Sequence, residues 1–126
     1  MKRIYIAAIL IISALSGAAA QTGYLSAKVD IFLSKIKKSD AFMNKESYSE
    51  AIQLCTVIEE NWNNDLQIIN LFLPHDYTDS ISIELSQMTA AVKNKDIHIY
   101  FDKSSSVKKE LNSIKSNEIP TIENIL

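Results

Sequence analysis

The chain is poor in the residues that build special sites: 126 residues contain one cysteine, one tryptophan, two glycines and two prolines. A single cysteine excludes an intramolecular disulfide, so stability has to come from packing. Two glycines are too few for most phosphate-cradling loops or a series of tight β-hairpins, which need several positions of positive φ or close backbone approach. The only arginine is Arg3, and beyond residue 20 eleven lysines face fifteen Asp and Glu, a balance of −4. Nucleic acid is therefore not an expected partner, because tracking phosphates draws on clustered Lys and Arg. No Gly-x-Ser-x-Gly, His-Glu-x-x-His or Cys-x-x-Cys motif occurs. What remains is 47% hydrophobic and 22% charged. That composition and length exclude a long disordered tract, a collagen-like repeat and a multi-domain enzyme, and leave one compact domain.

Lys2 and Arg3 precede an apolar run from Ile4 to Leu15, and Ser16, Gly17 and Ala18 to Ala20 follow. This is the charged, greasy, small-residue order of an export signal. Cleavage after Ala20 would leave a single helical domain of residues 21–126. Without cleavage, residues 1–20 would form a membrane anchor, since Ile4 to Ala20 carries no charge and a tilted span needs about 17–25 residues. Either way the domain is expected outside the cytoplasmic membrane, secreted or anchored to its outer face, with the two cations held inside. A lipoprotein is not expected, because the sole cysteine, Cys55, lies far from the run.

Beyond the leader the apolar residues follow a three-four rhythm, the signature of amphipathic helices. Leu25, Val29, Phe32, Ile36 and Met43 mark a first helix. Ser47 and Glu50 read as a capping box for a second, whose stripe runs through Tyr48, Ile52, Cys55, Trp62, Leu66, Ile69 and Leu73 up to Pro74. A third helix is predicted from Thr78 or Asp79, with Tyr77, Ile81, Leu85, Met88 and Val92 on its stripe and Asn94 as its stop. Asp96 caps a fourth, carrying Ile97, Tyr100, Ser104, Val107, Leu111 and Ile114. Short links favour antiparallel neighbours, so the expected fold is all-α: an up-down-up-down bundle or two stacked helical hairpins, preceded by the hydrophobic leader helix. No strand is predicted, because the alternation of Ile97, Ile99 and Phe101 has no partner segment to pair with. The apolar tail from Ile119 to Leu126 is expected to fold back over one end of the bundle.

Several of these residues also form a recognisable pattern. Tyr48-Ser49-Glu50-Ala51 opens the long helix, Trp62 lies within it, and Phe72-Leu73-Pro74-His75 forms the next turn. Ile81, Leu85 and Met88 follow, and Thr121-Ile122-Glu123-Asn124-Ile125-Leu126 closes the chain. From about Tyr24 to Leu126 the chain resembles the bacterial family named domain of unknown function 4363, although Pro74 between Leu73 and His75 departs from its pattern. The resemblance implies a short exported or membrane-anchored helical protein. It assigns no activity, and it points to a membrane protein as partner.

The candidate chemistry is sparse. His75 with Asp76 and Asp79 could begin a metal site or a His-carboxylate pair, but further ligands are missing, and an imidazole beside the free carbonyls of a helix end is the plainer reading. His98 has no partner nearby in sequence. Cys55 and Trp62 lie on the apolar stripe and read as core, with an intermolecular bridge through Cys55 and a partner anchor at Trp62 as the alternatives. Glu59 is expected at the stripe's edge or against a lysine. Lys35, Lys37 and Lys38 read as a solvated face. No cofactor and no catalysis are expected. The expected role is that of a binding or accessory module acting with a membrane protein or as a homo-oligomer, with the membrane contacted through the N-terminal segment if it is retained. The alternative is a small-ligand or metal binder near His75 and Asp79.

Overall fold

The computed structural model describes residues 2–116, the side chains of 18, 19, 21 and 22 aside. These residues form four helices, α1 (Lys2–Asn44), α2 (Tyr48–Ile69), α3 (His75–Lys93) and α4 (Ile97–Lys115). No strand occurs among the described residues, and the alternating Ile97 and Ile99 lie in the first turn of α4, half-exposed. The expected cover by residues 119–126 lies outside them.

Cross-helix contacts fix the topology. Lys28 meets Asp65, and the Tyr24 ring meets Phe72 at a tilt just beyond the end of α2, so α1 and α2 are antiparallel. Trp62 to Ser82 makes α2 and α3 antiparallel, and Ser80 to Glu110 does the same for α3 and α4. The ring closes where α4 runs back along α1, with Lys115 on Asp30 and Lys108 on Asp40. Each helix therefore packs on its two neighbours in an up-down-up-down bundle. The expected stripes converge on one core: Phe32, Ile36 and Met43 of α1, Cys55, Ile58 and Trp62 of α2, Ile81, Leu85 and Met88 of α3, and Tyr100, Val107 and Leu111 of α4.

Two links are built alike. After α1, the Ser47 amide reaches Phe42 O and the Glu46 amide reaches Met43 O; after α3, the Asp96 amide reaches Ala91 O and the Lys95 amide reaches Val92 O. These are Schellman closures, which place one residue in the left-handed region. With glycine scarce, Glu46 at φ 59° and Lys95 at φ 55° fill that position. Asp96 caps α4 as expected, its Oδ1 accepting from the Ile99 amide.

Three local expectations are corrected. Ser47 precedes α2 but makes no side-chain cap bond. The second helix ends at Ile69 rather than continuing to Pro74, and Asn70 to Leu73 form turns. Pro74 instead precedes α3, which starts at His75, because a fixed φ near −65° and a missing amide hydrogen suit a helix start.

The leader is not a separate element. The helix of α1 runs unbroken from Lys2 into the bundle. Its N-terminal part stands away from the other helices: Ile4 is 73% exposed and Leu15 66%, whereas Leu25 is 7% exposed. Among the described residues no helix is long and apolar enough to cross a membrane, so the anchor helix expected from the sequence is not supported as a span. Ile4 to Leu15 covers only about 18 Å as a helix, against a hydrocarbon core of about 30 Å.

Candidate functional site

The most concentrated polar chemistry lies inside the bundle, where α1, α2 and α4 meet. Ser39 and Asp40 fall between Ile36 and Met43 on the buried face of α1. Opposite them, Tyr100 and Ser104 are one turn apart on α4, both with no exposed surface. The Tyr100 hydroxyl lies 2.8 Å from Asp40 Oδ1 and 2.8 Å from Ser39 Oγ. A phenol has one proton, and the carboxylate is its stronger acceptor. Ser104 donates to the same Oδ1 at 2.6 Å, and Lys108 Nζ meets Oδ2 at 2.7 Å. Ser39 Oγ also lies 3.2 Å from Cys55 Sγ, which brings α2 into the network.

The electrostatics keep the protons on the phenol and the thiol of this cluster. Burial, with the Asp40 charge beside it, pushes the Tyr100 phenol far above its ordinary range. Burial likewise raises the Cys55 thiol to about 11, although the Ser39 contact opposes the shift. A thiol attacks as its thiolate, so a buried thiol held protonated is inert. Both Asp40 oxygens are already engaged by donors. What the arrangement does is satisfy a carboxylate inside the bundle and lock three helices in register.

A second polar seam runs between α3 and α4. Ser80 of α3 donates to Glu110 Oε1 of α4 at 3.2 Å, and Ser106 of α4 donates to Glu84 Oε1 of α3 at 2.7 Å. Tyr77 donates to the Glu110 carbonyl at 2.7 Å.

The residues singled out in the sequence are dispersed. His75 and Asp79 sit exposed on the first turns of α3, and among the described residues no group of three His, Cys, Asp or Glu could hold a metal ion. His98 is exposed at the start of α4. Cys55 and Trp62 are core, the indole donating to Ser82 Oγ at 2.7 Å and meeting Phe32 edge-on. Glu59 is half-buried, at the edge of the α2 stripe. Lys37 and Lys38 are exposed and Lys35 is half-buried; Lys35 and Lys38 each line a shallow cleft between α1 and α2.

Neither polar seam was expected. The available signal was the seven-residue gap between Ile36 and Met43, where two polar residues occupy positions that the helical period turns inward. Ser104 interrupting the α4 stripe was its counterpart.

Fold and interior together define, among the described residues, an all-α four-helix bundle with a buried acid-centred network, whose first helix extends an apolar N-terminal part beyond the others. The chain belongs to the family described as domain of unknown function DUF4363, whose model matches residues 19–125. Among curated proteins and solved structures, no match was found.

Proposed function

We propose that this protein is an exported or membrane-tethered binding module, non-catalytic, that acts beside a membrane protein at the outer face of the cytoplasmic membrane. The observation that carries the reading is the N-terminal half of α1, where Ile4, Ile6, Ile9, Leu10, Ile11, Ile12 and Leu15 are all more than half exposed. A helix that is apolar on every side belongs in lipid, in a protein interface or in a translocation channel. Lys2 and Arg3 ahead of it give the charge order that exporters read. On this reading residues 1–20 are the export leader or tether and residues 21–126 the working domain. The interior, where hydroxyls, thiol and carboxylate serve one another, supports the non-catalytic part of the reading.

The test is to map the N-terminus of the protein recovered from cells, fractionate the cells, and cross-link intact cells before identifying neighbours. Recovery outside the cytoplasm with an integral membrane protein cross-linked to the bundle supports the proposal. Recovery of the intact chain in the cytosol refutes it, and cross-links only to further copies of itself would replace the membrane partner by a homo-oligomer.

A further inference from the structure

The α3–α4 seam carries a feature that its neighbours do not explain. Glu84 and Glu110 project from facing helices, and each has its Oε1 held by a serine of the other helix. The remaining oxygen of each, Oε2, is buried and has no hydrogen-bond partner. Ionised carboxylates only accept, so two of them side by side cannot satisfy one another. One proton changes that, because a carboxyl group donates to the carboxylate beside it. Glu84 is the hydrogen-bond partner that favours the protonated form of Glu110, and burial together with this contact raises the Glu110 carboxyl to about 7.

We propose that Glu84 and Glu110 hold one proton between them and form a pH-sensitive latch across the α3–α4 seam, closed while the proton is present and loosened when it leaves to solvent. Among the described residues no ion pair holds either glutamate. Asp76, Asp79 and Lys103 line the open cleft of about 390 Å³ that Glu84 borders, with the exposed Ile83 beside it. Tyr77 gives its proton to the Glu110 carbonyl. From the flanking helices, Asp30 and Asp40 of α1 are paired with Lys115 and Lys108, and Asp65 of α2 with Lys28. Loss of the proton leaves two like charges facing each other across one seam, with Lys103 on the rim of the cleft as partial relief. The expected movement is a loosening of α4 from α3 on the side of that cleft.

The direction of the pH effect is fixed. The folded Glu110 carboxyl titrates above its unfolded value of about 4.3, so its contribution to stability is complete below that pH and is lost as pH rises through 7.

The experiment uses the full chain in a non-ionic detergent and compares thermal midpoints at pH 5, 6, 7 and 8 for the unsubstituted protein, Glu110→Gln and Glu84→Gln. The unsubstituted midpoint should fall across this range, and both variants should lose most of that slope and be the more stable at pH 8. Parallel curves for all three would overturn the latch. Carboxyl-carbon NMR of the unsubstituted protein provides the direct reading even if a variant fails to fold. A glutamate titrating near neutrality supports the proposal, and every glutamate titrating in the ordinary carboxylate range refutes it.

Discussion

Replacing Asp40 with alanine probes the interior most directly. The change removes the one acceptor shared by the Tyr100 and Ser104 hydroxyls, both without exposed surface, and the counter-ion of Lys108. A hydrogen bond to a charged acceptor contributes about 1.5–3 kcal/mol, and a buried donor left without one costs a similar amount. The Lys108 pair is partly exposed, with side-chain exposures of 28% and 13%, and on its own is worth about 0–1 kcal/mol. The two hydroxyls share one oxygen, so their losses overlap. Two such bonds with overlapping losses put the expected cost of Asp40→Ala at about 3–5 kcal/mol. That is a large fraction of the roughly 5–15 kcal/mol that holds a small domain together. Asp40→Asn keeps a neutral acceptor oxygen and should cost about 1–2 kcal/mol less than alanine, a difference set by the hydroxyl bond that the amide oxygen still accepts. Lys108→Met should cost about 1 kcal/mol or less. Urea unfolding of the full chain in non-ionic detergent, followed by far-ultraviolet circular dichroism, measures all three. If Asp40→Ala costs under about 1 kcal/mol, or Lys108→Met costs as much as Asp40→Ala, the hydroxyl network does not hold the helices in register.

The loops and the thiol give two further tests. Glu46→Gly relieves a left-handed non-glycine residue and should add about 0.5–1 kcal/mol of stability, read in the same urea titration. Lys95→Gly relieves the same strain but gives up the ammonium 5.5 Å over the Tyr48 ring, a contact worth about 0.5–1 kcal/mol, so it should come out near neutral. Equal gains at the two sites would remove the role assigned to the Tyr48 contact. Cys55, buried and raised to about 11, should resist iodoacetamide at pH 8 in the folded protein and react at the rate of a free thiol in urea. Fast alkylation without denaturant would mean that α1 and α2 open locally around Ser39.

Much of the architecture was legible in the chain. The spacing of Leu25, Val29, Phe32 and Ile36, and of the stripes on the other three helices, reports which side of each helix avoids water, and this property is local to the helix. The cap at Asp96 and the stop at Asn94 were equally local. Ser47 and Pro74 misled because several residues could start or end a helix there, and the energies that separate one helix boundary from the next are small.

The polar interior was not readable in this way. Lys35, Lys37 and Lys38 read as a solvated face, and no reading attached to Ser39, Asp40, Glu84 or Glu110, because nothing in a single helix says what faces it. The sequence by itself determined that four amphipathic helices would form, since periodicity and capping act over a turn or two. Only the tertiary structure decided that Asp40 would meet Tyr100, Ser104 and Lys108 across about 60 residues of chain, and that Glu84 would meet Glu110. Hydrogen bonds and shared protons depend on distances of about 3 Å between side chains, and only packing of one helix against another sets those distances.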